Sequence, residues 1–136
     1  MASGIPLEQA ETVIAAARRV AGELEESVCV AVVESGGTMV AFARMDGASP
    51  AAVDAAKRNA DIALAFGFDT VHITTPIPGD HRVPDRRQPD GHSLVPNGGG
   101  VIIRMNGTVV GAVGVCGAAS SIVDHKIGTA AVSDLT

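Results

Sequence analysis

The sequence of 136 residues predicts a single α+β domain, spanning residues 1–136, in which helices flank a mainly antiparallel sheet. Two β-branched hairpins, over residues 28–44 and 101–116, are separated by helical patterns. The order is helix, hairpin, helix, long loop, hairpin and helix. Strands that follow one another as hairpins pair antiparallel, so the helices are left to cover the faces of the sheet.

The N-terminal segment predicts a helix over residues 7–26. Small and apolar residues recur there at helical spacing, and Pro6 is compatible with a helix start. Glu23, Glu25 and Glu26 lie at the end where the helix dipole disfavours negative charge. We therefore expect the helix to fray at that end.

The first hairpin and the second helix come next. Residues 28–34 predict a strand, Gly36-Gly37 a turn, and residues 38–44 the returning strand. Ser49-Pro50 is typical of a helix start, because Ser accepts hydrogen bonds from the first turn and Pro is preorganised for its first position. The helix is expected to end before Gly67.

Residues 74–100 predict a long loop. Five of the seven prolines of the chain lie in it, together with many charged residues. Loops of this length in a compact domain are usually either functional or disordered. Because prolines reduce the entropy lost on ordering, we expect a structured loop that forms the wall of a site at a subunit interface.

The second hairpin turns at Asn106-Gly107, a dipeptide that suits the two positive φ angles of a type I′ turn. One face of its second strand is reduced to small side chains from Ala112 to Cys116, with Gly114 between them. Glycine inside a strand often marks a close approach by another backbone or by a ligand. We favour a tightly packed helix over a ligand.

The last helix is predicted to begin at Ser120 or Ser121 and to run to about Val132. Ser121 and Asp124 have the spacing of a capping box, with Asp in place of the usual Glu.

Composition and charge exclude several classes of partner. The formal net charge of −5 disfavours nucleic acid and anionic membrane surfaces. No apolar run is long enough to span a membrane, and the first residues lack a signal sequence, so a cytoplasmic location is expected. Cys29 and Cys116 lie in apolar strands with no metal-binding spacing, which predicts buried thiols rather than a disulfide.

Four segments together resemble the GlcG/HbpS family of haem-binding and haem-degrading-like domains. They are residues 30–37, residues 42–48 with the sequence Phe-Ala-Arg-Met-Asp-Gly-Ala, residues 96–100, and the hairpin at residues 106–117. The resemblance covers nearly the whole chain. It implies a profilin-like fold with a mainly antiparallel five-stranded sheet, and a homo-oligomer (dimer, tetramer or octamer). It also implies a ligand such as haem or a corrinoid, or a link to small-acid catabolism.

Arg44 and Asp46 are candidate ligand-binding residues at the end of a strand. An Arg there is suited to hold a carboxylate through two hydrogen bonds. The alternative is a contact within the chain, to Asp46 or to the backbone, that fixes the turn. Gly98 and Gly99 are further candidates, because a glycine run exposes backbone N–H groups to an anion.

The histidines are candidates for ligation or for acid–base chemistry, since imidazole is neutral or charged near neutral pH. His125, beside Asp124, is the preferred acid–base residue, and His81 is a second one. His72, which the pattern Val71-His72-Ile73 places on a short strand, and His92 are candidate ligand-binding residues. For each of them an exposed or purely structural role is the alternative.

The loop arginines Arg82 and Arg86 are candidates to bind propionates, phosphates or small dicarboxylates, and the alternative is that they pair with the aspartates of the same loop. The sequence indicates no metal site and no Walker or dinucleotide motif.

Three hypotheses follow for the function. The first is a small-ligand-binding oligomer with its pocket at a subunit interface, for which the resemblance makes haem or a related tetrapyrrole the first candidate, with a histidine on the iron. The alternative is a cofactor-free isomerase, hydratase or lyase that acts on a small carboxylate by His/Asp chemistry. The third is a structural accessory protein. The sequence leaves open whether the protein is an enzyme.

Overall fold

The computed structural model describes residues 4–74 and 98–135, which form an α+β domain. The predicted site residues His81, Arg82, Arg86 and His92, and nearly all of the predicted loop, lie outside the described residues. The elements, in chain order, are α1 (Leu7–Glu23), β1 (Cys29–Glu34), β2 (Met39–Arg44), α2 (Ala51–Phe66), α3 (Val71–Thr74), β3 (Gly100–Met105), β4 (Thr108–Cys116) and α4 (Ser121–Ser133).

The described strands form one antiparallel sheet in the order β2-β1-β4-β3. The sheet confirms the predicted antiparallel α+β class, but it has four strands in the described part of the chain where the resemblance implied five. Strand β1 lies between β2 and β4 and has helices on both faces. Burial on both faces explains why its sequence is a continuous apolar run rather than an alternating one.

Both hairpin turns are formed by the residues that the sequence indicates. Gly37 has a φ of 95° between β1 and β2. Asn106 and Gly107 have φ angles of 56° and 80°, so the second hairpin closes through two successive residues with positive φ, as a type I′ turn requires.

One face of the sheet is covered by α1 and α4. This face carries valine and isoleucine side chains, which pack against the buried side of α1 and against Ile127 and Ala131 of α4. The β-branched side chains of this face are Val30, Val32, Val101, Ile103, Val113 and Val115.

The opposite face is covered by α2, and it is made of small residues. The helix buries a stripe of alanines, Ala52, Ala56, Ala60 and Ala63, against it. At Gly114 a Cβ atom would overlap the carbonyl oxygen of Ala56. The close approach that the sequence indicated is therefore the approach of a helix, as predicted.

The helix starts are largely as predicted. The Ser49 hydroxyl accepts a hydrogen bond of 3.2 Å from the Ala51 N–H, and the Ser120 hydroxyl accepts one of 3.3 Å from the Val123 N–H. The capping box of Ser121 and Asp124 is wrong, because the Asp124 carboxylate instead bonds to the backbone of the preceding turn.

Helix ends follow backbone conformation. Helix α2 ends before Gly67, which takes a left-handed conformation with a φ of 80°. Helix α1 ends at Glu23, three residues earlier than predicted, and Glu25 beyond it has a φ of 61°. The predicted fraying end is thus already outside the helix.

Among residues 4–74 and 98–135, side chains from the segment after α2 meet the outer edge of β3. The Asp69 carboxylate accepts a hydrogen bond of 2.9 Å from the Ile102 N–H, and the Thr70 hydroxyl accepts one of 3.0 Å from the Gly100 N–H. The chain then enters the single turn α3, so the short strand expected around His72 is wrong. The Thr70 N–H also donates a hydrogen bond of 2.9 Å to the Gly100 carbonyl oxygen, so this segment satisfies part of the strand edge.

Gly114→Ala is expected to lower the free energy of unfolding by about 1–3 kcal/mol, since the added methyl group must push α2 away from the sheet. Chemical denaturation measures this change. Gly22→Ala is the matched control, because Gly22 lies in α1 with nothing near its missing Cβ, and it should stabilise the helix by up to about 1 kcal/mol. Equal effects at the two sites would show that the sheet tolerates a wider separation.

Candidate functional site

Most of the described candidate residues converge on one end of the sheet. Cys29 begins β1 there, opposite Arg44, the last residue of β2, and Cys116, the last residue of β4. The start of α4 and the chain entering β3 at Gly98 adjoin the same end. We call this region the Cys29 end.

Arg44 is exposed at the Cys29 end, and its guanidinium donates a hydrogen bond of 3.1 Å to the Ala48 carbonyl oxygen. This is the backbone contact that the sequence left open as the alternative to ligand binding. A guanidinium has five N–H donors, so one such bond leaves others for a carboxylate. Asp46 lies in the turn that follows, where it is exposed.

Asp124 is buried, with only 5% of its surface exposed, in the first turn of α4. Its Oδ1 atom accepts a hydrogen bond of 3.0 Å from the Ala118 N–H. Burial raises the pKa of this carboxyl to about 6, and the nearby Glu26 carboxylate adds to the rise, while the Ala118 hydrogen bond opposes it. Asp124 thus changes its charge close to neutral pH.

His125 is half-buried on α4 and packs against Gly98, where an added Cβ would meet the His125 side chain. Its Nδ1 atom is buried and has no hydrogen-bond partner within residues 4–74 and 98–135. Nε2 is therefore the ring nitrogen of His125 that remains for a ligand.

Gly98 and Gly99 are buried where α2 and α4 approach the start of β3. Gly99 has a φ of 127°, and a side chain there would clash with the amide of Asn59. That amide donates a hydrogen bond of 2.9 Å to the Val115 carbonyl oxygen. The glycine run is explained by close packing of backbone, and anion binding by Gly98 and Gly99 stays a prediction.

Cys29 and Cys116 are free thiols, and they are direct cross-strand partners in the β1–β4 ladder. Cys29 is fully buried and Cys116 is half-buried. Burial raises the pKa of both thiols; the Asp124 carboxylate adds to the rise at Cys116, whereas the Arg44 guanidinium opposes it at Cys29. Sequence reasoning missed this pairing because β1 and β4 are far apart in the chain.

A shallow cavity of about 100 Å³ lies between β2 and α2, and sequence reasoning missed it too. Its lining combines apolar side chains with one charge of each sign: Met39, Phe42, Val53, Asp54 and Lys57. Phe42 faces the α2 side of the sheet, since its ladder partner Ala31 packs there. The exposed apolar residues of β2 were the available signal.

His72 lies on α3, near the outer edge of β3, and its ring meets Phe68 edge to face with centroids 6.3 Å apart.

In the described part of the chain, no three His, Cys, Asp or Glu side chains are grouped to hold a metal ion. Within the same residues no helix has both the length and the apolar character needed to cross a membrane.

The model for the family described as haem degrading protein HbpS-like matches residues 5–133. The chain belongs to the HbpS-like family. This finding confirms the resemblance that the hairpin motifs indicate.

Solved structures support the same assignment for this HbpS-like chain. A double mutant of Streptomyces reticuli HbpS is 28% identical, with a TM-score of 0.82 over 100% of this chain and 90% of its own. The Klebsiella pneumoniae protein ORFY is 26% identical, with a TM-score of 0.83 over 99% and 92%. PduOC, solved as a complex with haem, is 25% identical, with a TM-score of 0.80 over 96% and 94%.

A further structure, of the Ybr137w protein, is 17% identical with a TM-score of 0.72 and shows the fold alone. No curated protein matches the chain. The family and the fold therefore rest on the family model and on the solved structures.

Asp124→Asn is expected to abolish one component of the pH dependence of stability. The pKa of Asp124 is higher in the folded chain (about 6) than its ordinary value of 3.8, so the folded state binds more protons between these values. The free energy of unfolding therefore falls as pH rises from about 4 to 6, by about 2–3 kcal/mol in total. Denaturation at a series of pH values measures this slope.

The amide keeps an oxygen for the Ala118 N–H, so Asp124→Asn should be more stable than wild type at pH 7. Asp46→Asn removes an exposed carboxylate of the same region and controls for the loss of charge alone. If Asp124→Asn kept the wild-type slope of unfolding free energy against pH, the slope could not be assigned to the Asp124 carboxyl.

Proposed function

We propose that this HbpS-like protein binds a small anionic ligand at the Cys29 end, and that haem or a related tetrapyrrole is the first candidate. The observation that carries the proposal is that Arg44 and His125 lie at the same end of the sheet, Arg44 on the edge strand β2 and His125 beside the chain that enters the other edge strand, β3. The haem complex of PduOC, a relative of the same fold, supports the choice of ligand.

The chemistry of the Cys29 end fits the polar side of such a ligand. Arg44 is exposed there and has N–H groups beyond the one used on Ala48, which suits a propionate carboxylate. His125 has its Nε2 atom left to contact the ligand, because its Nδ1 atom is buried. Bound haem would supply a redox-active iron, and the residues named here would hold and orient its periphery.

The apolar side of the ligand needs more surface than the described residues of one chain enclose. The cavity between β2 and α2 has about 100 Å³, whereas ligand pockets usually have about 300–1,000 Å³. We infer that a sister subunit completes the pocket of a cytoplasmic homo-oligomer. Ligand uptake should then depend on assembly, as expected for a pocket at a subunit interface.

Titration of the purified protein with haemin should shift the Soret band. Arg44→Ala is expected to weaken binding about tenfold or more, because a charge-assisted hydrogen bond to the carboxylate is lost. His125→Gln should alter both the affinity and the position of the band. Absorbance spectra at micromolar protein follow the titration.

Arg104→Ala is the matched control, because Arg104 is an exposed arginine of β3 beside the Asn106-Gly107 turn, at the far end of the hairpin from the Cys29 end. Its affinity should equal that of the wild type. The absence of any Soret shift in wild-type protein would remove tetrapyrroles as ligands, and equal losses in both arginine variants would remove the proposed location.

A second candidate function is a cofactor-free enzyme that acts on a small carboxylate, as in small-acid catabolism. The observation that favours it is Asp124, whose pKa of about 6 suits a general acid or base near neutral pH. Such an enzyme would give a bell-shaped pH–rate profile, and Asp124→Asn would abolish turnover. Full turnover in both Asp124→Asn and His125→Gln would eliminate this candidate.

A further inference from the structure

The two cysteines of the chain are partners across the two central strands, at the Cys29 end of the sheet. The β1–β4 ladder makes Cys29 the partner of Cys116, and Val30 the partner of Val115. The Val115 N–H donates to Gly99 of the chain entering β3, so it points away from β1. The backbone N–H and C=O groups of successive residues point to opposite sides of a strand. Those of Cys116 therefore point towards β1, and Cys116 and Cys29 form a hydrogen-bonded pair.

The hydrogen bonds at the other end of β1 show the same alternation of hydrogen-bonded and non-hydrogen-bonded pairs. The Ser35 N–H donates to the Val110 carbonyl oxygen at 2.9 Å, six positions along from the cysteine pair. The alternation repeats every two residues, and six is a multiple of two. The pair of Ser35 and Val110 is hydrogen-bonded, so the pair of Cys29 and Cys116 is hydrogen-bonded as well.

This pairing brings the two thiols close enough together to form a disulfide, but the disulfide would be strained. Hydrogen-bonded partners have Cα atoms about 5.5 Å apart, inside the range that disulfides span. In such pairs the Cβ atoms lie towards the wide end of the cross-strand range of about 4.5–5.5 Å, beyond the usual disulfide value of about 3.8 Å, so closing the bond requires β1 and β4 to move closer together at this end. A bond formed here is strained, and strained disulfides are easily reduced.

The two thiols are surrounded mainly by small side chains, and one of them is partly exposed to solvent. Both side chains lie on the α2 side of the sheet, among the small residues Ala31, Ala48, Ala52 and Ala56. Cys116 is half-buried, so a small oxidant can reach it, whereas Cys29 is fully buried behind it.

We propose that Cys29 and Cys116 are a redox-active dithiol that a hydroperoxide converts into a reversible cross-strand disulfide. The dithiol lies at the same end of the sheet as the proposed ligand site, but its oxidation does not require a bound ligand. The Cys116 thiolate attacks one oxygen of hydrogen peroxide; an S–O bond forms, the O–O bond breaks, and hydroxide leaves and is protonated to water. The product is a sulfenic acid on Cys116.

The Cys29 thiolate then attacks the sulfur of this sulfenic acid. The S–S bond forms, the S–O bond breaks, and the second hydroxide leaves as water. In total two thiols and one hydrogen peroxide give one disulfide and two waters, and the two sulfur atoms supply the two electrons that reduce the peroxide.

Burial raises the pKa of each thiol, and this sets the pH dependence of the reaction. The Asp124 carboxylate adds to the rise at Cys116, whereas the Arg58 guanidinium opposes it there and the Arg44 guanidinium opposes it at Cys29. Because the thiolate is the nucleophile and is scarce at neutral pH, the rate should rise about tenfold per pH unit below the pKa of Cys116. The site therefore responds slowly at neutral pH and faster under alkaline conditions.

The test is oxidation of the full chain by hydrogen peroxide, followed by unfolding, alkylation of free thiols and intact-mass measurement. The expected product has lost two hydrogen atoms, takes up no alkylating reagent, and gives a Cys29–Cys116 cross-linked peptide. Millimolar glutathione should restore both alkylatable thiols. Two thiols that stay alkylatable, sulfinic or sulfonic acids alone, or disulfides only between chains would each overturn the proposal.

Two variants separate the roles of the thiols. In Cys29→Ser, dimedone should trap a sulfenic acid on Cys116. In Cys116→Ser, the buried Cys29 should stay alkylatable after the same treatment. Faster oxidation of Cys29 than of Cys116 would overturn the proposed order of attack, and the wild-type measurement tests the disulfide even where a variant fails to fold.

Discussion

The close approach of α2 to one face of the sheet is the constraint on which the rest of the structure depends. It is made possible by Gly114 in β4 and by the alanine stripe of α2, which leave at most a methyl group between helix and strand. The same approach brings the Asn59 amide to the Val115 carbonyl oxygen and fixes the backbone at Gly99. The start of α2 then lies beside Arg44 and Cys116, so helix packing builds the Cys29 end.

The two faces of the sheet carry side chains of different size and contribute differently to the structure. The valine and isoleucine face under α1 and α4 buries the larger aliphatic side chains and supplies most of the hydrophobic stabilisation. The small face under α2 contributes less buried area per residue, but it sets the positions of backbone groups closely. The candidate side chains lie where both layers meet the end of the sheet.

The parts of the fold that were predictable from sequence are those encoded by local signals. Both hairpin turns and the ends of α2 depend on residues within a few positions of each other, such as Asn106-Gly107 and Gly67. The wrongly predicted elements depend on contacts outside their own segment. Asp124 fits a capping box by spacing, yet the turn before α4 offers it the Ala118 N–H, and the segment before His72 is tied to β3.

The candidate site divides in the same way. Residue chemistry alone pointed to Arg44, Asp124 and His125, and the fold places all three at the Cys29 end. Neither the cysteine pair nor the cavity beside Phe42 was predictable, because each depends on strand pairing or helix placement across long stretches of chain. The raised pKa of Asp124 likewise comes from burial, which sequence spacing does not reveal.

The distribution of aromatic side chains bears on how such a site is enclosed. The chain has three Phe and no Trp or Tyr, and Phe42, Phe66 and Phe68 are exposed by 36%, 55% and 42%. The core is therefore built without aromatic residues, and its largest apolar side chains remain at the surface. Phe42 lines the cavity between β2 and α2, on the same face of β2 as Arg44.

A flat apolar ligand or a second subunit gains more from covering an aromatic ring than from covering alanine, because the ring buries more area. A surface that covers Phe42 also closes the open side of the small cavity. In the proposed pocket, enclosing the ligand would therefore also bury this exposed ring. A domain with so few large side chains in its core would in this way build an apolar pocket from a ring that it leaves at its surface.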